Sequence, residues 1–154
     1  MSRGDEVENV CIRLPGFRER KALLHAGACR WSVGGRMGLF NVRVKVKPLV
    51  GRAEASVNAL VDTGATLSVI PGRILERLGV ERRWHRKFTL ANGERVERDV
   101  GVVIFAWNGR EGAAETIFGE PGDKPLLGAL TLETLALKVN PRKGRLEPVE
   151  LMLL

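Results

Sequence analysis

Regular alternation of apolar and polar residues begins near residue 40. In "FNVRVKV", residues 40–46, every second position is apolar and the positions between are polar. This period of two is typical of a half-buried strand, and Pro48 should end it. "AEASVNALV" has the same period, so it predicts a second strand that runs directly into Asp62.

Turn residues divide the remaining chain into short elements. Asn92-Gly93 and Asn108-Gly109 each separate two β-prone arms, which is the strongest short signal for a hairpin. Residues 102–106 are continuously apolar, which indicates a strand buried on both faces. "PGRILERLGV" and "GALTLETLAL" have the spacing of short helices, and "LKVNPRKGRLEPV" predicts strand, turn and strand. The pattern therefore predicts an all-β, barrel-like single domain with one or two short helices.

The first 36 residues lack this regularity. We expect residues 1–36 to form an extension that is poorly ordered or dispensable, and residues 37–154 to form the domain. Both cysteines, Cys11 and Cys29, lie in this segment and do not make a disulfide framework. With His25 they fit no familiar zinc spacing, so we expect no metal and no other cofactor.

Charge and hydropathy narrow the range of partners. The net charge is +7, but Lys and Arg are dispersed among acidic residues, so nucleic-acid binding is not favoured. No apolar run approaches the ~20 residues that span a bilayer, and the charged start "MSRGDEVENV" is a poor signal peptide. We therefore expect a cytoplasmic protein with no membrane partner.

Asp62, in "LVDTGATLSVIP", has two interpretations. Asp-Thr-Gly is common in plain turns, because Asp accepts backbone N–H bonds and Gly permits positive φ. Here, however, the flanks are apolar, which predicts a largely buried loop, and no Lys or Arg lies within eight residues on either side. Because a buried carboxylate must be paired, hydrogen-bonded or protonated, Asp62 is also a candidate for one half of a catalytic pair.

The chain resembles retropepsins, the single-domain aspartic proteases of retroviruses and their cellular relatives. "LVDTGA", residues 60–65, is similar to their active-site loop, and "LLGALTLETL" is similar to their second signature, a glycine after two apolar residues and before a short helix. "FTLANGERV" stands where the family has its flap hairpin. The resemblance extends from Phe40 to about Leu146 and is greatest to bacterial and archaeal members. It implies a retropepsin-like acid-protease barrel with a flap hairpin.

The resemblance implies an aspartic endopeptidase that cleaves a polypeptide with a water activated by an Asp dyad. Since the chain has one Asp-Thr-Gly, the dyad would form across a homodimer. The implied roles are Asp62 as the catalytic carboxylate, Thr63 and Gly64 as support of the catalytic loop, Ala65 in the substrate cleft, and Ala91, Asn92 and Gly93 at the flap tip over the substrate. Gly128 would support the loop from beneath.

Two departures from the family leave alternatives open. Viral members carry an acidic residue and an Arg, paired with each other, where this chain has Thr66 and Ala129. One alternative is accordingly a non-catalytic module of the same fold for dimerisation or peptide binding. Another is a basic nucleic-acid-binding protein. Independently of these alternatives, Thr63 could be an ordinary turn hydroxyl, Gly64 a turn glycine and Ala65 a packed small residue. Residues 91–93 could be the tip of a plain surface hairpin.

The apolar tail "VELMLL", residues 149–154, would be costly to leave exposed on a monomer. It could form part of a dimer interface, as chain termini do in retropepsins, or it could pack as a strand on its own domain.

Overall fold

The structure is a computed structural model that describes residues 11–13, as backbone only, and residues 39–151. Its elements are β1 (Cys11–Arg13), β2 (Asn41–Lys47), β3 (Glu54–Val61), β4 (Ser68–Pro71), α1 (Gly72–Arg77), β5 (Trp84–Thr89), β6 (Arg95–Trp107), β7 (Arg110–Gly119), β8 (Leu126–Leu127), α2 (Ala129–Thr134), β9 (Leu137–Asn140) and β10 (Arg145–Pro148). The prediction of an all-β class with short helices is confirmed.

The main sheet closes on itself. From β3 the pairing passes through β2, β6, β7, β4 and β8, and β8 returns to β3. Closure into a barrel satisfies the strand edges that an open sheet would expose. β8 lies between β3 and β4, with β3 parallel to it and β4 antiparallel. The loop that connects β3 to β4 therefore spans the end of β8, and this loop contains Asp62.

The barrel interior follows the alternation of the sequence. Val44 and Val46 of β2 and Val57 of β3 point inward and are almost completely buried. In β6, Val103 and Phe105 are fully buried. On the opposite face Val102 and Ile104 are only half-buried, although Ala106 is buried. The prediction that residues 102–106 are buried on both faces is therefore wrong for Val102 and Ile104.

The predicted hairpins and helices are present. Trp107 pairs with Arg110 across a two-residue turn in which Asn108 has φ +49° and Gly109 φ +82°. Positive φ at both positions is the type I′ geometry whose twist matches the flanking strands. The two helices found in the described residues lie where the apolar spacing predicted them, and β9 and β10 form the predicted C-terminal hairpin.

The segments at the two ends of the chain are described only in part. Cys11–Arg13 lies inside the predicted extension and pairs with residues 54–56 of β3. The remainder of that prediction lies outside the described residues, so dispensability stays a prediction. At the other end, the Val149 N–H donates to the Ala136 carbonyl, and Leu151 is 75% exposed. Residues 152–154 lie outside the described part. Within it, no helix is long and apolar enough to cross a membrane.

Candidate active site

Asp62 is the first residue after β3. Its N–H donates to the Leu127 carbonyl of β8 at 3.0 Å, and the preceding Val61 N–H donates to the Phe40 carbonyl at 2.9 Å. The chain then turns and returns as β4 at Ser68. Backbone bonds to two neighbouring segments thus fix the start of the loop, as expected for a carboxylate that must be held in one place.

The side chain of Asp62 organises its own turn. Its Oδ1 accepts the N–H of Gly64 at 2.9 Å, and its carbonyl accepts the Ala65 N–H at 3.3 Å. Among the described residues it has no ion pair. The carboxylate is half-buried, while Thr63 and Gly64 are exposed.

The prediction of a largely buried loop is therefore wrong for a single chain. The apolar residues on both flanks belong to β3 and β4, where alternate side chains fill the barrel, whereas the loop tip projects beyond the barrel end. Thr63 and Gly64 of the Asp-Thr-Gly triplet thus remain accessible.

Gly128, in the second signature, lies directly against this loop. A Cβ at this position would be 2.6 Å from the backbone carbon and oxygen of Leu67 and 2.9 Å from the Ala65 oxygen. The close approach allows the start of α2 to bond the loop: the Ala129 N–H donates to the Ala65 carbonyl at 2.8 Å, and the Leu130 N–H to the Thr66 carbonyl at 3.1 Å. Thr66 and Ala129, which lack the charges of viral members, thus connect loop and helix through backbone atoms.

Buried hydroxyls lie behind the loop, and the sequence reasoning missed them. Ser68, Thr116 and Thr131 are fully buried. Ser68 Oγ accepts the Gly128 N–H at 3.0 Å and lies 2.7 Å from Thr131 Oγ1, while Thr116 Oγ1 donates to the Ser68 carbonyl at 3.2 Å. The available signal was a hydroxyl residue at an inward position of an otherwise apolar strand or helix.

The hairpin β5–β6 stands beside the loop. At its end Leu90 N–H donates to the Glu94 carbonyl and Gly93 N–H to the Leu90 carbonyl, both at 2.8 Å. Gly93 has φ +85°, so the connection is a turn closed by a glycine bulge, not the two-residue type I′ turn that Asn-Gly usually forms. Ala91, Asn92 and Gly93 form the exposed tip, and their role in substrate binding stays a prediction.

A cleft of about 880 Å³ separates the hairpin from the loop. Gly64 and Ala65 line it from the loop side. Its other walls are mainly apolar and come from the hairpin (Phe88, Leu90, Val96), from barrel strands (Val69, Ile117, Leu126), from the end of the loop (Leu67) and from α2 (Leu130). These wall residues were not predicted as site residues, because each belongs to a strand or helix pattern that equally predicts a core position.

The charged groups around the cleft are largely paired with each other. Arg86 donates to both carboxylate oxygens of Glu115, at 2.7 and 3.2 Å. Arg98 lies 3.3 Å from Glu120 and 3.5 Å from Asp123. The charges therefore form the rim and hold the hairpin to the barrel, and the apolar surface remains available to a ligand.

His85 of β5 links the two strands of the β5–β6 hairpin through its side chain. Its Nδ1 lies 2.8 Å from Asp99 and its Nε2 3.0 Å from Glu97, both across the β5–β6 ladder. These hydrogen bonds, that to Asp99 first, raise the pKa of His85, and the same bonds lower the pKa of both carboxyl groups. Both ring nitrogens face acceptors, so the network favours the imidazolium.

The pH dependence has opposite signs for the two kinds of group. The stabilisation from His85 is complete below its unfolded pKa of about 6.5 and is lost as the pH rises through its higher folded pKa. The stabilisation from Asp99 and Glu97 is complete above unfolded pKa values near ~4 and is lost as the pH falls through the lowered values. The stabilisation from His85, Asp99 and Glu97 is therefore fully present at the same time only between roughly pH 4.5 and 6.5.

The residues that the structure describes contain no group of three or more His, Cys, Asp or Glu side chains that could hold a metal ion. The candidate site consists of the Asp62 carboxylate, on a loop held by backbone hydrogen bonds, beside an apolar cleft.

Comparison with known proteins gives one family match and one similar solved structure. Residues 42–110 match the family model of aspartyl proteases, and this range includes Asp62 and the hairpin. The solution structure of the simian foamy virus (mac) protease is similar to this chain, with 25% identity over 61% of this chain and 92% of that one and a TM-score of 0.43. Among curated proteins, no relative matches the chain. The family match supports aspartic protease activity in general.

Proposed function

We propose that the protein is an aspartic endopeptidase of the retropepsin type that works as a homodimer. The observation that carries the proposal is the position of Asp62. It is a half-buried carboxylate with no ion pair to any described residue, on a hydrogen-bonded Asp-Thr-Gly loop beside the apolar cleft. The match of residues 42–110 to aspartyl proteases supports the assignment.

One chain supplies one carboxylate, so the mechanism needs a second copy. Two Asp62 carboxylates in contact cannot both ionise cheaply and would share a proton, as aspartic-protease dyads do. The ionised group would take a proton from a bound water, and that water would attack the scissile carbonyl carbon. The protonated group would donate a hydrogen bond to the carbonyl oxygen. As the water oxygen bonds to the carbon, that proton would pass to the carbonyl oxygen, and a neutral tetrahedral gem-diol would form with no covalent bond to the enzyme. The first carboxyl group would then pass its proton to the amide nitrogen while the other takes a proton from the gem-diol, and the C–N bond would break to leave an amine and a carboxylic acid.

The surface around the loop is suited to a second copy. Thr63 and Gly64 are exposed, and Leu39 is 55% exposed immediately before Phe40, whose carbonyl accepts the Val61 N–H next to Asp62. Exposed apolar surface beside the site would be covered by a two-fold partner. Thr63 would then bond across the axis. Val149 and Leu151 add exposed apolar surface at the C-terminal end.

The cleft supports a polypeptide substrate. Its apolar walls can receive apolar side chains on either side of the scissile bond, and the hairpin above it can cover an extended peptide. Ala65 would contact the peptide from the loop side, and Ala91, Asn92 and Gly93 would close over it.

Cleavage of a peptide library tests the activity. The wild-type protein should cleave and be inhibited by pepstatin, and Asp62→Asn should abolish cleavage while its circular dichroism spectrum is unchanged. Retained cleavage in this variant would rule out the mechanism. Peptide binding without cleavage by the wild type would favour the non-catalytic module instead.

Sedimentation tests whether the surface beside the Asp62 loop forms the dimer interface. Leu39→Glu should weaken the dimer, because it places a charge beside the loop. Val50→Glu is the matched control, since Val50 is 90% exposed at the opposite end of the β2–β3 hairpin and should leave the dimer intact. Equal effects of the two variants would contradict this location of the two-fold axis.

A further inference from the structure

The hydroxyl groups of Ser68 and Thr131 occupy a fully buried position between the loop and α2. They lie 2.7 Å apart, and Ser68 Oγ also accepts the Gly128 N–H at 3.0 Å. Buried hydroxyl groups are costly unless every one is hydrogen-bonded. In the described part of the chain no buried side-chain polar atom lacks a partner, so this arrangement is fully satisfied.

The hydroxyl pair is connected to the proposed catalytic carboxylate through one peptide unit. Gly128, which bonds Ser68, directly follows Leu127, whose carbonyl accepts the Asp62 N–H at 3.0 Å. Ser68 also ends the loop that Asp62 begins. A single hydroxyl thus holds both the far end of the loop and the segment on which Asp62 rests.

The remaining contacts between loop and helix are backbone hydrogen bonds from Ala129 and Leu130. At Thr66 and Ala129 this chain has no charged pair that could add to them. A neutral connection has an electrostatic consequence as well: unlike an Arg, it places no positive charge near the carboxylates, and a nearby cation would favour ionisation of both.

We propose that Ser68 and Thr131 are positioning residues, which orient Asp62 through Gly128 and Leu127 in place of a charged pair. The proposal rests on the function proposed above, but its structural part can be measured without activity. Loss of either hydroxyl should weaken the hydrogen bond that holds the Asp62 N–H, while the barrel remains folded.

The test uses Thr131→Val, which removes the hydroxyl at nearly constant shape, and Thr131→Ser, which restores it. Ser68→Ala is a second, more severe variant. Thr134→Val is the matched control, because Thr134 lies exposed on the same helix and its hydroxyl donates to the Leu130 carbonyl within that helix, at 2.8 Å.

Amide hydrogen exchange is the first readout. In Thr131→Val and Ser68→Ala, the Asp62 and Gly128 amides should exchange about tenfold faster relative to the β6–β7 ladder, whereas Thr131→Ser and Thr134→Val should resemble the wild type. The second readout is kinetic. We expect kcat to fall about 10- to 100-fold with little change in KM, because a displaced carboxylate impairs the chemical step more than binding.

The two readouts distinguish a failure of the positioning role from a failure of the proposed protease function. Unchanged exchange at Asp62 in Thr131→Val, or acceleration shared equally by the whole barrel, would overturn the positioning role. If Ser68→Ala does not fold, the Thr131→Val and Thr131→Ser pair decides. If the wild type cleaves no peptide, the proposed function fails, and the exchange result still decides whether the hydroxyl groups hold the loop.

Discussion

Gly128→Ala is expected to destabilise the protein although alanine suits the local backbone. Gly128 has φ −86° and ψ 171°, so without a steric conflict the substitution would stabilise the fold by about 0.4–1 kcal/mol through the unfolded state. The added Cβ, however, would lie 2.6 Å from the carbon and oxygen of the Leu67 carbonyl. This is about 1 Å inside normal contact. The obstructing atoms are backbone atoms, so relief requires moving the loop that carries Asp62.

Overpacking usually costs about 1–3 kcal/mol, and a conflict with backbone atoms belongs at the upper end of that range, so the net loss after the gain through the unfolded state is about 2 kcal/mol. Such a loss should lower the Tm by roughly 6–12 °C for a domain of this size. Differential scanning calorimetry measures it. The Leu67→Ala background is the control: truncating that side chain leaves the backbone conflict in place, so the two effects should add without rescue. An unchanged or raised Tm in Gly128→Ala would refute the close packing of loop and helix.

Further predictions concern the hairpin and the chain ends. NMR titration should give His85 a pKa above 6.5, and exchange protection of the β5–β6 amides should fall as the pH rises through that value; a His85 pKa at or below 6.5 would contradict its pairing with Asp99 and Glu97. A chain that begins at Met37 should fold and dimerise like the full chain, and loss of its cooperative melting transition would show that residues 1–36 are needed. Deletion of residues 149–154 should weaken the dimer in sedimentation, whereas unchanged association would place the tail outside the interface.

The individual strands, turns and helices could be predicted well because short stretches of neighbouring residues specify them. The alternation in β2 and β3, the Asn-Gly turns and the helical spacing after Gly72 and Gly128 each specify an element from a few neighbouring residues. The exposure of Val102 and Ile104 in β6 was misjudged because a continuous apolar run does not reveal how much of each face is covered. Closure of the barrel depends on pairings between distant strands, which local patterns do not encode.

The candidate site was only partly predictable for the same reason. Asp62 and Gly128 could be identified because short motifs mark them, although the exposure of the loop tip was misjudged. Ser68 and Thr131 are 63 residues apart and form one cluster only after β8 lies between β3 and β4. The apolar wall of the cleft has the same residue types as the core, and only the three-dimensional arrangement separates them.

A shared dyad makes activity depend on two intact subunits, and mixing subunits measures this dependence. Wild-type and Asp62→Asn chains would be unfolded and refolded together at a constant total concentration over a range of ratios. If each site needs Asp62 from both chains, activity should follow the square of the wild-type fraction, so an equal mixture retains roughly one quarter of the full rate. A linear dependence, with roughly one half retained in the equal mixture, would contradict a site formed across the dimer.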